Sequence, residues 1–231
     1  MSKSRTVGII GGMGPLATVD LMNKIIQQTP ARQEQEHLHL IVDQYPQIPD
    51  RTAAILGRGS DPVPYLVESA RRLESAGAEL IAIACNTAHY YVRQLEETVA
   101  IPILHMPRQT VAHLEKRGVK KAGLLATDGT LQSRLYQDLL ASREIDAVVP
   151  EPAVQQHVMQ GIYAVKIGDL EMGVSLLAEA ANSLAAAGAE VVIAGCTEVP
   201  IVLSTSEQLH IINPTEILAK EVIAQARLPV C

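Results

Sequence analysis

The sequence predicts an α/β protein made of two pseudo-symmetric halves, each built on a mostly parallel sheet, with an active site between them. The first observation is that short apolar runs alternate with amphipathic stretches of helical length, which is typical of parallel βαβ units. The second is a loose internal repeat, in which three segment pairs occur in the same order. The pairs are TVGIIGGMGP with KAGLLATDGT, SAGAELIAIACNT with AAGAEVVIAGCTE, and ILHMP with IINP. We therefore expect residues 1–106 with 215–231 to form one half and residues 107–214 the other.

Length and composition limit the class of protein. The chain has 231 residues, of which 48% are hydrophobic and 19% charged, and this suits a globular protein with an ample core. It contains no Phe or Trp, so aliphatic side chains must fill that core. A formal net charge of −6 argues against a nucleic-acid or anionic-membrane surface. No apolar run suits a signal peptide or a membrane span, and three cysteines without an export signal predict a cytoplasmic protein.

Each strand is predicted from a short apolar run and each helix from amphipathic spacing. The helix near residue 70 ends at Gly77, since glycine is a common helix terminator. The predicted strands are 6–10, 38–42, 80–84, 103–105, 122–126, 191–194 and 211–212. The predicted helices are 19–28, 63–76, 90–97, 110–116, 131–141 and 171–187, and a C-terminal helix crosses back to the first half.

Two cysteines occupy matched positions in the repeat. Cys85 follows the apolar run LIAIA and Cys196 follows EVVIAG, so each lies at the carboxyl end of a predicted strand. Ligands of open α/β sheets bind at such strand ends, where helix N-termini also favour a thiolate. A buried, inert side chain would explain either cysteine alone, but the matched pair favours two reactive thiols facing one cleft. The third cysteine, Cys231, is the last residue and is expected to have no catalytic role.

A metal site is an alternative explanation for the two cysteines. Cys85 and His89 are four residues apart, and Cys196 could join them as a zinc ligand. The compact ligand spacing of most zinc sites is missing, however, so we predict no metal. A disulfide is disfavoured in a cytoplasmic chain.

The loop GGMGP ends the first strand and opens a helix. Gly12, Met13 and Gly14 would let backbone amides approach a ligand, and the helix N-terminus favours an anion such as a carboxylate. The same loop matches the dinucleotide pattern G-x-G-x-x-A, with Asp43 ending the second strand. That alternative implies a nicotinamide cofactor and leaves the paired cysteines unexplained.

Two cationic residues are candidates for carboxylate binding. Arg51 follows Pro49 and Asp50 on a predicted loop, where its guanidinium could hold a carboxylate in a bidentate manner. Lys166 lies in the segment VMQGIYAVKIGD. Most lysines and arginines are solvated surface charges, so neither residue carries the functional argument alone.

Four motifs in order along the chain resemble the signatures of the aspartate/glutamate racemase superfamily, and of its aspartate racemases in particular. They are GIIGGMGP (8–15), ACNTAH (84–89), LLATDGTLQS (124–133) and GCTEVP (195–200), and the resemblance extends over nearly the whole chain. It implies two pseudo-symmetric α/β halves with the active site between them, no cofactor, and a homodimer. Glutamate racemases are less similar, because they usually have Asp-Ser where this chain has Gly12-Met13, and His where it has Glu198.

The resemblance also implies roles for individual residues. The catalytic cysteines of the family fall on Cys85 and Cys196. The substrate-binding positions fall on Gly12, Met13, Gly14, Arg51, Asn86, Thr87, Thr130, Lys166, Thr197 and Glu198. Among these, Arg51 and Lys166 correspond to the residues that hold the substrate in aspartate racemases.

Together these observations predict an isomerase that interconverts L- and D-aspartate, with glutamate as the other candidate substrate. Removing the α-proton from one face and returning one to the other requires two opposed acid/base groups, which the two thiols supply. The partner is a small acidic amino acid. Within the superfamily, a decarboxylase or a maleate isomerase is the alternative. Outside it, a nicotinamide-dependent oxidoreductase or a dicarboxylate-binding protein remains open.

Overall fold

The computed structural model describes residues 4–206 and 209–227, and it contains two four-stranded parallel sheets. The first sheet consists of β1 (Val7–Gly11), β2 (Leu40–Gln44), β3 (Leu80–Ile83) and β4 (Ile103–Leu104), in the order β2-β1-β3-β4. The second consists of β5 (Lys121–Leu125), β6 (Asp146–Val148), β7 (Val191–Ala194) and β8 (Ile211–Ile212), in the order β6-β5-β7-β8. The predicted α/β class is confirmed.

The two sheets repeat one topology. Each begins with a strand that lies between its second and third strands, and every pairing is parallel. The chain therefore leaves β1 in one direction and returns past it to form β3, and it does the same around β5. Such a reversal opens a crevice at the carboxyl ends of the strands, where α/β proteins bind ligands. The predicted pseudo-symmetry of the halves is confirmed at the level of strand order.

Helices cover both faces of both sheets. Those that precede β5 in the chain are α1 (Pro15–Gln28), α2 (Arg51–Ile55), α3 (Val63–Ser75), α4 (Val92–Glu96) and α5 (Met106–Lys116). The next are α6 (Asp128–Gln132), α7 (Gln137–Ala141), α8 (Pro152–Lys166), α9 (Leu170–Ala186), α10 (Val199–Val202) and α11 (Pro214–Ala226). Short 3₁₀ helices occupy Glu34–Glu36 and Thr87–Tyr91. Within the described residues, no helix is both long and apolar enough to cross a membrane.

Several helix boundaries follow from local chemistry. Asp50 accepts the backbone N–H of Ala53 at 2.8 Å and so caps α2. Asn213 caps α11 in the same way, with its side chain accepting from the first turn. Gly77 follows α3 with φ of +96°, a left-handed conformation that ends the helix as predicted.

The core is aliphatic and lies on both sides of each sheet. Strands β3 and β7 are entirely buried, as expected for parallel strands with helices on both faces. On one side of the first sheet, the buried residues of β1 and β3 pack with those of α1 and α11. Because α11 packs against α1, the C-terminal helix returns to the first half of the chain. This packing holds the two cysteine-bearing strand ends on rigid elements.

Three local predictions were wrong. The segment 131–141 is not one helix, because the chain breaks between α6 and α7, where Arg134 adopts a φ of +55°. Arg51 is not on a loop but is the first residue of α2, because the Asp50 cap starts a helix there. Strand β6 and helix α8 were not predicted, since β6 is short and largely exposed and so lacks an apolar run.

Candidate active site

The predicted catalytic cysteines lie at equivalent positions in the two halves. Cys85 comes two residues after β3, and Cys196 comes two residues after β7. Both side chains are buried, each with 5% of its surface exposed. The charge of Cys85 is one of the influences that raise the pKa of Cys196, so the two sulfurs are close enough to interact electrostatically. Cys231 lies outside the described residues.

A cavity of about 340 Å³ opens between the two halves; neither cysteine lines it, but Arg51 and Glu198, which interact with Cys85 and Cys196, do. Both halves contribute predicted site residues to its wall, which are Gly12, Met13, Gly14, Arg51, Lys166 and Glu198. The halves approach closely here, because a Cβ added to Gly14 would lie 3.4 Å from Oε1 of Glu198. Gly12 has a φ of +88°, and a Cβ there would lie 2.4 Å from the carbonyl carbon of Tyr45, so only glycine fits.

Arg51 is held in the cavity wall by backbone carbonyl groups. Its Nη1 donates to the oxygens of Ile48 and Pro49, at 3.2 and 3.0 Å, and its Nη2 donates to that of Met13, at 3.2 Å. Its Nε–H is buried and has no protein partner among the described residues. Because Nε and Nη2 form one edge of the planar fork, this edge is available to a carboxylate.

The guanidinium of Arg51 carries its charge despite being buried. Burial lowers the pKa of Arg51, but the negative charges of Cys85, Asp50 and Glu198 raise it, and the net pKa is above its ordinary value. The strongest of these raising influences is Cys85. Arg51 therefore supplies positive charge next to the sulfur of the first half.

Cys196 has a carboxylate as its neighbour. Its thiol donates to Oε2 of Glu198 at 2.8 Å, and the hydroxyl of Thr197 donates to the same oxygen at 3.2 Å. Burial raises the pKa of Cys196, the charge of Glu198 raises it further, and Lys166 lowers it in part. The net pKa is well above its ordinary value, so Cys196 is a thiol in the free protein.

Lys166 is the second cation of the cavity and is half-buried. Burial lowers the pKa of Lys166, but the charges of Cys196 and Glu198 raise it, with a net increase. Its ammonium lies 4.8 Å from the centre of the Tyr163 ring, a cation–π distance. The hydroxyl of Tyr163 donates to Oδ2 of Asp50 at 3.4 Å and so links α8 to the first half of the chain.

The predicted threonines Thr87 and Thr130 meet away from the cavity wall. Their hydroxyl oxygens lie 2.9 Å apart, and each is 3.1 Å from the hydroxyl oxygen of Thr127. All three side chains are buried. Thr87 belongs to the first half and the other two to the second, so this triangle of hydroxyl groups joins the halves close to Cys85.

His89 fixes the backbone around Cys85. Its Nδ1 lies 2.8 Å from the carbonyl oxygen of Cys85, and its Nε2 accepts the backbone N–H of Met106 at 3.1 Å. Burial lowers the pKa of His89 to about 4, so the ring is neutral. With both ring nitrogens facing the backbone, His89 is unsuited to join Cys85 and Cys196 around zinc. The described residues contain no cluster of three or more His, Cys, Asp or Glu side chains arranged to hold a metal.

Two other features bear on the alternative functions. Asp43, the expected partner of a dinucleotide ribose, lies 3.6 Å from the guanidinium of Arg72 and does not line the cavity. A larger cavity of about 770 Å³ is formed by residues of α6, α8 and the end of α2, such as Asp128 and Gln155. None of the predicted site residues lines it in the described structure, so charge and reactive groups, rather than volume, identify the candidate site.

The sequence profile of the Asp/Glu/Hydantoin racemase family matches residues 10–222 of the chain. The chain belongs to this family. Members are isomerases, and this protein is therefore an isomerase as well. The match includes both cysteine motifs and the glycine-rich loop, which lie within those residues.

The racemase is also similar to individual proteins over nearly its whole length. It is 27% identical to the broad specificity amino-acid racemase RacX of Bacillus subtilis, covering 94% of this chain and 96% of RacX. The structure of an aspartate racemase from Picrophilus torridus has a TM-score of 0.89 and 33% identity, covering 96% of this chain and 94% of that one. An aspartate racemase homologue from Pyrococcus horikoshii has a TM-score of 0.76 and 26% identity, covering 96% and 99%.

Sequence reasoning on this racemase missed several residues of the site. Asp50 and Thr127 are helix caps. They could have been found in the segments PDRT and ATDGT, because Asp and Thr are common at the position that precedes a helix. Tyr163 could have been found from its position three residues before Lys166 on a helix, since such residues are neighbours. No sequence signal connects Tyr136 to the site, because its contact with Asn86 spans 50 residues of chain.

Proposed function

We propose that this racemase interconverts L- and D-aspartate by proton transfer between Cys85 and Cys196, without a cofactor. The observation that carries the proposal is that the two matched cysteines have neighbours of opposite charge. Cys85 is next to the Arg51 guanidinium, whereas the thiol of Cys196 donates to the Glu198 carboxylate. Two chemically equal residues are thereby placed in unequal environments, which suits one base and one acid.

The protonation states support a definite first step. In the free protein Cys196 is a thiol and can give a proton, so we assign the role of base in the first step to Cys85, which lies beside the Arg51 guanidinium. Cys85 then removes the α-proton of the D-enantiomer, and the thiol of Cys196 gives its proton to the opposite face. The product is the L-enantiomer, with Cys85 now a thiol and Cys196 a thiolate. The reverse reaction begins from that second state.

The charges of the cavity support an acidic substrate. Arg51 and Lys166 are two cations in the wall of one small cavity, and aspartate has two carboxylates. The carboxylates of Asp50 and Glu198 also line the cavity, but they accept hydrogen bonds from Tyr163 and Cys196. The Nε–H of Arg51, which has no partner among the described residues, and the second N–H of Nη2 fit the side-chain carboxylate, and Lys166 adds a second charge. The similarity to the aspartate racemase of Picrophilus torridus favours aspartate over glutamate as the substrate.

Deprotonating the α-carbon places negative charge on the α-carboxylate, which needs hydrogen-bond donors. The loop Gly12–Gly14 precedes α1 and offers backbone N–H groups of a helix N-terminus. Asn86 directly follows Cys85, and its buried Nδ2 group, which has no partner among the described residues, supplies a further donor. Losing one such donor typically costs about 3 kcal/mol of barrier, so this set is a major part of the proposed catalysis.

Incubation with L-aspartate in deuterated water tests the proposal. Because each thiol carries a single exchangeable proton, D-aspartate should form with deuterium at the α-carbon while the remaining L-aspartate keeps its α-hydrogen. The activity should survive EDTA and dialysis, and pyridoxal phosphate should not raise it. Three outcomes would contradict the proposal. A requirement for added nicotinamide or metal would favour a cofactor-dependent enzyme, release of carbon dioxide would favour a decarboxylase, and binding without exchange would favour a dicarboxylate-binding protein.

Serine variants of the cysteines supply the residue-level test. Cys85→Ser and Cys196→Ser should each lower the rate at least about a hundredfold. A serine hydroxyl does not ionise near neutral pH and so cannot serve as the base. Cys231→Ser is the matched control and should keep the wild-type rate. If either active-site variant retained more than about a hundredth of the rate, that cysteine would not have the assigned role.

A further inference from the structure

Tyr136 connects the core of the second half to the active site. It lies between α6 and α7, is fully buried, and packs among apolar residues that include Leu114 and Leu140. Its hydroxyl nevertheless donates to Oδ1 of Asn86 at 2.6 Å, across the boundary between the halves. This is a short hydrogen bond from a core residue to the side chain that directly follows Cys85.

The Asn86 amide is consequently half satisfied. Its side chain has 1% of its surface exposed, and its Nδ2 group has no hydrogen-bond partner in the described part of the chain. A buried amide donor without a partner costs free energy, which a ligand that accepts the bond can recover. The vacant donor is therefore an expected contact point for an anionic ligand beside Cys85.

An amide presents a donor on one side and an acceptor on the other, and the Tyr136 hydroxyl decides between them. Burial raises the pKa of Tyr136, and a hydrogen bond with Thr110 only partly opposes this. The phenol thus stays protonated, and its hydrogen bond to Oδ1 at 2.6 Å occupies the acceptor side of the amide and leaves the Nδ2 donor for the ligand. With the amide rotated by half a turn, Oδ1 would instead face the ligand and repel a carboxylate.

We propose that Tyr136 is a positioning residue of the racemase, which acts by orienting the Asn86 amide toward the α-carboxylate of the substrate. The proposal rests on the proposed function for the identity of that substrate. Charge develops on the α-carboxylate during proton removal, so a correctly oriented donor stabilises the transition state more than the ground state. Tyr136 touches neither substrate nor sulfur and acts only through Asn86.

A double-mutant cycle tests this chain of contacts. Tyr136→Phe removes the hydroxyl and keeps the ring, and it should lower kcat for aspartate about tenfold, the equivalent of one ordinary hydrogen bond, with a smaller change in KM. In an Asn86→Ala background the same replacement should leave kcat and KM unchanged within about twofold, because the amide it orients is absent. Equal losses in both backgrounds would overturn the proposal.

Leu140→Val is the control for general loosening of the core. Leu140 is fully buried in the same apolar cluster as Tyr136 and has no polar contact with the site, so its variant should lower Tm but keep kcat. A matching fall in kcat would show that Tyr136→Phe acts through core packing and would overturn the proposal.

A turnover-free measurement separates this inference from the proposed function. In the Cys85→Ser, Cys196→Ser double variant, adding L-aspartate should shift the side-chain amide resonances of Asn86, and Tyr136→Phe should diminish that shift. An unchanged Asn86 amide on ligand addition would overturn the Tyr136 proposal. Failure of the wild-type protein to racemise aspartate would overturn the proposed function, while an Asn86 shift that depends on Tyr136 would still support the positioning role.

Discussion

Replacing Arg51 by lysine keeps one positive charge in the cavity but removes the planar fork of the guanidinium. Three N–H···O bonds to backbone carbonyl oxygens hold that fork in the cavity wall, and its Nε–H has no partner among the described residues. An ammonium is a compact point charge and cannot form both the carbonyl contacts and a bidentate carboxylate contact. The variant should therefore bind aspartate with its α-carbon displaced from the two thiols.

The size of the effect follows from the contacts that are lost. A hydrogen bond to a charged group contributes about 1.5–3 kcal/mol, and lysine should lose at least one of the two that the substrate carboxylate receives. Since about 1.4 kcal/mol corresponds to a factor of ten, kcat/KM for aspartate should fall about 10- to 100-fold. Displacement of the α-carbon adds to the loss in kcat.

Steady-state kinetics followed by chiral chromatography measure this effect. Wild type, Arg51→Lys and Lys166→Ala are compared with aspartate, glutamate, asparagine and alanine, and both variants should lose activity on aspartate. Arg72→Lys is the matched control, because Arg72 is half exposed and pairs with carboxylates outside the cavity. Arg51→Lys within about threefold of wild type, or wild-type turnover of alanine equal to that of aspartate, would refute the reasoning.

Two further predictions concern pH and assembly. Glu198→Gln removes the carboxylate charge that raises the pKa of Cys196, so this thiol should ionise at lower pH. Cys196 is the proposed base for L-aspartate and the proposed acid for D-aspartate. The rising limb of the pH profile of kcat/KM for L-aspartate and the falling limb for D-aspartate should therefore both move to lower pH. Unchanged pH profiles would show that Glu198 does not raise the pKa of Cys196. We also propose a homodimer, since Leu16, Val19 and Ile26 leave about half of their surface exposed on α1. Analytical ultracentrifugation should find twice the mass of the chain, and a monomer that persists at high concentration would exclude the dimer.

The regular elements were predictable because their signals are local. Strands β3 and β7 are apolar runs that had to be buried on both faces, and the predicted bounds agree with the structure to within a residue. The repeat around the two cysteines already implied that both follow equivalent strands. The predictions that Arg51 lies on a loop and that residues 131–141 form one helix were wrong. The side-chain cap at Asp50 and the left-handed conformation of Arg134 each act on one or two positions and leave no periodic pattern in the sequence.

The same distinction between local and long-range signals applies to the active site. Residue types, spacing and the repeat were enough to indicate two thiols and a glycine-rich loop, since each of these is read from a few adjacent positions, whereas Arg51 and Lys166 were indicated only by the resemblance to aspartate racemases. The unequal surroundings of Cys85 and Cys196 depend on contacts between elements that are distant in the chain, such as the approach of Arg51 to Cys85. The hydrogen bond from Tyr136 to Asn86 depends likewise on how the two halves pack. Such contacts exist only once the chain is folded, because hydrogen bonds and charges act over a few ångströms of space regardless of separation along the sequence.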